Sequence, residues 1–353
     1  MRCLTLADGL TAKGVDCQFI CREHDGNLIG LIRKKGYVTH ALPIFHEMSA
    51  GSSQSDPKTY PTTLAHSHWL GATQAQDADA CVPILTAQCP DWLIVDHYAL
   101  DASWERSLVT YARMLMVIDD LADRPHICDL LLDQNWFGTA MEDRYQALVP
   151  KCARHCLGPA YALLKPEYAQ LRKWRPPHDG HVRRLLVFFG GSDPGDLTSR
   201  ALNVLSAPEF DHLVVDVVLG PNHPNVASVT RLAHTRSGVV VHGPLPSLAG
   251  LMLRADLMLG AGGSTNWERM CLGLPSVVIS IAENQIQIND ALARAGYIAS
   301  VGFHEDVQIG EIHAALQRAI QDTVFLRKSS QYGMALVEGD GVTQIVNLLI
   351  ASI

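Results

Sequence analysis

Short apolar runs recur along the chain, and most begin or end at an acidic or turn residue. They cover 92–96 (WLIVD), 114–119 (MLMVID), 129–133 (DLLLD), 185–189 (LLVFF), 213–219 (LVVDVVL), 256–259 (DLML) and 276–280 (SVVIS). Apolar runs without polar alternation predict strands buried on both faces, as in parallel sheets. Helical patterns lie between them, for example over 196–205 and 287–295. Strand–helix alternation predicts an α/β protein with doubly wound sheets. The polar stretch 172–184 (RKWRPPHDGHVRR) reads as a linker. It sets an expected N-terminal domain over 1–172 and a C-terminal domain over 173–353, with a cleft between them. The stretch 51–61 (GSSQSDPKTYP) reads as a surface loop.

The opening residues 1–7 (MRCLTLA) read as the middle of a helix, and the next plausible strand is 16–21 (DCQFIC). Doubly wound domains normally open on a strand. The expectation is therefore that one strand and its turn are missing ahead of this helix.

The chain has 353 residues, enough for two α/β domains, and 48% of them are hydrophobic. A net charge of -8 argues against general nucleic-acid binding, which needs a basic footprint. It leaves room for a small anion met by local N–H groups. There are 9 cysteines, none in a Cys-x-x-Cys pair, which fits reduced thiols in the cytoplasm. Cys152, His155 and Cys156 read as ordinary helix residues rather than metal ligands. No apolar run reaches the roughly 20 residues of a membrane span.

The strongest chemical signal is 258–268 (MLGAGGSTNWE). A strand runs into a glycine-rich turn, then small hydroxyls, then a carboxylate inside a helix. Glycines allow close backbone approach to a diphosphate, and N–H groups at a helix start favour anions. Glu268, one turn in, can accept from two ribose hydroxyls. A second such turn follows 185–189 at Gly190-Gly191-Ser192-Asp193-Pro194, with Ser192 or Asp193 expected near the N-cap. A plain βα turn explains this one equally well on its own. The polar cluster Glu283-Asn284-Gln285 after the next strand can hydrogen-bond a sugar, or simply cap the following helix.

In the first half, Asp96, His97, Tyr98 and Asp101 follow a buried strand, and Tyr98 can reach the cleft. Asp119 and Asp120 sit at another strand end, before Asp123, Arg124 and His126. Paired carboxylates suit metal or acid–base chemistry, while helix capping and an Asp–Arg pair account for them nearly as well. His66 and His68 alternate as on one face of a strand, with no third ligand at a telling distance.

Taken in order, these segments resemble the UDP-2,4-diacetamido-2,4,6-trideoxy-β-L-altropyranose hydrolase family of pseudaminic acid synthesis, within the MurG-like GT-B superfamily. The matching runs are MRCLTLA (1–7), HWLG (68–71), VDHYALDASWE (95–105), VIDDLADRPHICDLLLDQN (117–135), GPAYALLKPEY (158–168), FFGGSDP (188–194), GAGGSTNWERMCLGLP (260–275) and AENQ (282–285). The resemblance implies a GT-B fold and an inverting, metal-independent hydrolysis with no cofactor. Water attacks the anomeric carbon and UDP leaves. It implies Tyr98 at the sugar near the attacking water and Asn284 at the sugar or its leaving phosphate. Gly190, Gly191, Ser192, Gly263, Ser264 and Thr265 would surround the diphosphate. Glu268 would bind the ribose, with Gln285 also at the substrate. The expected partner is the UDP-sugar alone, with no nucleic acid and no membrane, and the expected state is a monomer.

The family carries a Gly-x-Gly-His turn ahead of the helix that begins MRCLTLA, and its His is the expected general base. That position falls upstream of Met1, so the base is expected in a longer reading frame. Two alternatives stand beside hydrolysis: a MurG-like glycosyltransferase using a UDP-sugar, and an inactive UDP-sugar-binding form lacking the catalytic His.

Overall fold

The computed structural model describes residues 1–44 and 64–353. The expected loop at 51–61 lies outside the described residues. The chain forms two compact units: Met1–Gln134 with Thr139–Tyr161 and Val342–Ile353, and Asn135–Gly138 with Ala162–Gly341.

The first unit opens on the helix Arg2–Thr11, followed by β1 (Gln18–Arg22) and β2 (Val38–Leu42), a parallel pair. A separate parallel sheet runs β3 (Trp92–Val95), β4 (Met114–Ile118), β5 (Leu130–Asp133) and β6 (Arg154–Leu157), in that spatial order. Val95, Leu115, Val117 and Leu131 bury one face of this sheet against Leu85, Trp104 and Leu108. Cys156 and His155 lie in β6, a strand rather than the expected helix.

The second unit is a six-stranded parallel sheet, ordered β12-β11-β10-β7-β8-β9. Its strands are β7 (Arg184–Phe188), β8 (Val214–Val218), β9 (Val239–His242), β10 (Leu257–Ala261), β11 (Ser276–Ser280) and β12 (Ala299–Phe303). Successive residues feed opposite cores, which explains the unbroken apolar runs. Leu185, Val187, Leu257, Leu259, Val277 and Ile279 face one core. Leu186, Met258 and Val278 face the other. Strand order reverses between β7 and β10, and in such sheets ligands bind at the carboxyl ends beside that reversal.

The division of the chain differs from the expected 1–172 and 173–353. The change falls at 161/162, because Leu164 and Tyr168 enter the second unit's core. The polar stretch 172–184 is no free linker. Three of its basic side chains satisfy backbone carbonyls of the second unit. Arg172 donates to Cys271 and Val337, Arg175 donates to Leu253 at 2.6 Å, and the His178 ring meets the Asp256 carbonyl at 2.8 Å. The last helix, Gly341–Ala351, returns to the first unit. There Val342 packs on Gly9, and the Trp92 indole donates to the Leu349 carbonyl at 3.0 Å. Residues 323–351 are apolar enough by composition to cross a membrane. They fold as two helices, Thr323–Leu336 and Gly341–Ala351, whose inner faces are buried at Leu326, Ile345, Val346 and Leu349.

Candidate functional site

In the second unit, three strand-to-helix turns meet at the carboxyl ends of β7, β10 and β11. Gly190 (φ +89°) and Gly263 (φ +110°) take backbone conformations that side chains disfavour. Close approach fixes their neighbours. A Cβ on Gly220, just past β8, would sit 2.3 Å from the Gly191 carbonyl oxygen. A Cβ on Gly260 would sit 2.4 Å from the Phe188 carbonyl oxygen, so β10 and β7 abut at their ends. Gly260 is part of β10, and the turn itself is confined to Gly262, Gly263 and Ser264. The third turn joins the other two. Gln285 Nε2 lies 3.3 Å from where a Gly263 Cβ would be, and the Ile281 side chain lies 3.6 Å from that point at Gly190.

The N–H groups of Gly190, Gly191 and Ser192, and those of Gly263, Ser264 and Thr265, have no acceptor among the described residues. Gly191, Ser192 and Ser264 are exposed. Two sets of free donors therefore lie at neighbouring strand ends, an arrangement suited to anionic oxygens.

The first turn differs from expectation in one respect. The N-cap of the helix Leu197–Leu205 is Asp196, whose side chain makes no cap bond. The cap comes from Asp193, 1% exposed, whose carboxylate accepts from Leu197 N–H at 2.9 Å and Thr198 N–H at 2.8 Å. Those donors are occupied, so only the N–H groups of the preceding turn remain for a ligand. Asp193, Asp196 and His223 cluster closely enough to suggest a metal. The hydrogen bonds argue otherwise. His223 Nδ1 accepts from Asn225 N–H at 3.1 Å, so Nε2 carries the proton and donates to Asp193 at 3.2 Å. The cluster ties the turn after β8 to the first glycine turn.

Glu268 is half-buried in the helix Thr265–Cys271. Burial pushes its carboxyl up to about 7, opposed by the Tyr168 hydroxyl and the Lys165 charge. Beneath the second turn runs a buried polar chain that sequence reasoning missed. Asn266 Nδ2 donates to Asn289 Oδ1 at 3.0 Å, and Asn289 Nδ2 donates to Ser280 Oγ at 2.8 Å. Asn284 is exposed, and Gln285 is held by accepting from Ile281 N–H at 3.0 Å. An apolar pocket that the sequence did not reveal opens beside the first turn at the ends of β7 and β8. It is lined by Phe188, Leu219, Gly220, Pro244, Leu245 and Leu248 and holds about 70 Å³. A mainly apolar lining of this kind suits a nucleobase.

In the first unit, Tyr98 lies just past β3. Its hydroxyl donates to Asp120 Oδ1 at 2.6 Å. Burial, then the Asp120 charge, push the phenol up, so it stays protonated. Arg2 clamps both acids, at 2.7 Å to Asp96 and 3.0 Å to Asp120. Burial would raise the Asp96 carboxyl, but Arg2 holds it low. His66 and Trp69 stack around the Tyr98 ring at centroid distances of 5.5 and 5.8 Å. His66 and His68 lie at a 3-10 turn, Ser67–Trp69 with His66 as its N-cap, rather than on the expected strand face. The other candidates have structural duties. Asp101 caps the helix Ala102–Leu108, Asp119 pairs with buried Arg124 at 2.8 Å, and His126 pairs with Glu105 at 2.6 Å.

No family model matches the chain. It is 27% identical over 194 residues to the spore coat polysaccharide biosynthesis protein SpsG of Bacillus subtilis, covering 54% of this chain and 57% of that protein. It is 25% identical over 210 residues to the UDP-2,4-diacetamido-2,4,6-trideoxy-beta-L-altropyranose hydrolase of Campylobacter jejuni, covering 58% of this chain and 72% of that protein. The chain thus spans little more than half the length of the Bacillus relative. Among solved structures, Acinetobacter baumannii MurG superposes with a TM-score of 0.64 at 10% identity, covering 99% of this chain and 95% of MurG. The chain has the GT-B fold, and these similarities support its resemblance to the hydrolase family.

Proposed function

We propose that the chain is a UDP-sugar hydrolase that cleaves UDP-2,4-diacetamido-2,4,6-trideoxy-β-L-altropyranose to UDP and the free sugar. The observation that carries the reading is the pair of glycine turns with unoccupied N–H groups, flanked by Glu268 and an apolar pocket. In this reading the N–H groups of Gly190, Gly191 and Ser192, and of Gly263, Ser264 and Thr265, hold the diphosphate. The pocket by Leu245 takes the uracil. Glu268 accepts from the ribose hydroxyls, Gln285 supports Gly263, and exposed Asn284 meets the sugar or its phosphate.

Tyr98 is assigned to the sugar end. Its hydroxyl is committed to Asp120 as a donor, which leaves its oxygen lone pairs to accept from a sugar hydroxyl or the attacking water. Inversion follows from one displacement: water forms the new bond at the anomeric carbon as the bond to the diphosphate oxygen breaks. The hydrolase reading rests on the ordered motifs and on the Campylobacter relative's name. Its cytoplasmic setting rests on nine free thiols.

The test is release of UDP from the UDP-altrose derivative in water with no acceptor present. Release supports hydrolysis. Release only on addition of an acceptor would assign the chain to glycosyl transfer, and UDP binding without turnover would make it a binding form.

A further inference from the structure

Arg269 is an unusual residue to find beneath a ligand turn. It is 0% exposed, in the two-turn helix that follows Gly262-Gly263-Ser264. Its Nη1 donates to the Ala261 carbonyl at 3.0 Å, the peptide group that leads into the turn. Its Nε and Nη2 are buried with no hydrogen-bond partner, and no carboxylate pairs with it among the described residues. Adjacent Glu268 acts on it through charge, but no hydrogen bond or close ion pair joins the two. A buried cation without a hydrogen-bonded anion is costly, and folded proteins retain few of them.

We propose that Arg269 is a built-in positive charge under the second glycine turn, and that its missing counterion is the diphosphate of the bound nucleotide. This rests on the UDP-binding reading above. The guanidinium is a positioning and electrostatic residue, since it is buried and reaches the ligand only through the Ala261–Gly262 peptide and the field it creates. Its proton is held weakly, at about 9, chiefly through burial, as expected of a cation awaiting a partner. The consequence is selectivity by charge. A nucleoside fills the pocket and meets Glu268, and so feels Arg269 only through that neighbouring carboxylate. A nucleoside diphosphate, placed at Gly263 and Ser264, neutralises it.

The test compares calorimetric affinities for UDP and uridine in the whole chain and in Arg269→Met, Arg269→Lys and Arg269→Gln. Arg269→Met is expected to lose about tenfold in UDP affinity, the size of one partly screened Coulombic contact, with a smaller loss for uridine, so that the ratio of the two falls. Its melting temperature is expected to hold or rise, because a buried unpaired charge has been removed. Arg269→Lys is expected to keep the UDP preference. Should Arg269→Met fail to fold, the Lys and Gln variants give the same comparison. An unchanged ratio of UDP to uridine affinity, or an equal loss of both, overturns the inference. Failure of the unsubstituted chain to bind UDP at all overturns the underlying reading instead.

Discussion

A Cβ on Gly262 would lie 2.0 Å from Asn289 Nδ2. The amide cannot swing aside freely, because Asn289 is held by Asn266 on one side and Ser280 on the other. Gly262→Ala is therefore expected to cost about 1–3 kcal/mol, as overpacking does, and to weaken UDP binding by displacing Gly263. Asn289→Ala opens the space, so the double variant should be more stable than the sum of the two losses predicts. Urea denaturation of the four proteins checks this. Simple additivity would mean that the turn is not set by this contact.

Asp193 makes a prediction about stability. Its carboxylate caps Leu197 and Thr198 and also receives the His223 proton. Asp193→Ala removes the cap and strands a buried imidazole N–H, at an expected cost of about 2 kcal/mol. The midpoint of denaturant unfolding reads it. A change within error would show that the cap is dispensable.

Glu268 makes a prediction about pH. Its folded carboxyl titrates at about 7, above the ordinary 4.5, chiefly through burial. The folded state therefore holds this proton more tightly than the unfolded state. The associated stability is present below about pH 4.5 and is lost as pH rises through about 7. Glu268→Gln should flatten that fall. Ligand binding runs the other way, because ribose hydroxyls donate to the ionised carboxylate. Uridine, which does not titrate in this range, should bind about tenfold more tightly at pH 8 than at pH 6. In Glu268→Gln its affinity should be flat with pH.

Tyr98 separates chemistry from binding. Tyr98→Phe keeps the ring against His66 and Trp69 and removes only the hydroxyl. Turnover should fall by about 10²-fold while calorimetric affinity for UDP stays unchanged. Equal turnover by the Phe variant would remove Tyr98 from the reacting centre.

The contrast between sequence and structure follows burial and distance. β3, β4, β5, β7, β8, β10 and β11 are legible because most of their positions are apolar. The strands that escaped notice, β2, β6, β9 and β12, are sheet edges with polar or half-exposed positions, such as Arg154 and His155 in β6. The glycine turns announce themselves because their composition is local. Partnerships across the fold do not. Arg2 grips Asp96 across 94 positions of sequence, and Asn266 meets Asn289 across 23. Nothing in either local segment marks the pair. The stretch 172–184 misled for a related reason: Arg172, Arg175 and His178 look solvated in sequence but direct their donors to backbone carbonyls far along the chain.

The most direct test of the account is calorimetric titration of UDP into the whole chain, beside Glu268→Ala and Gly263→Val. The account predicts saturable binding at a single site, sharply weakened by either substitution in proteins that remain folded by circular dichroism. Absence of UDP binding, or binding that survives both substitutions, would contradict the placement of the nucleotide at the second unit's glycine turns.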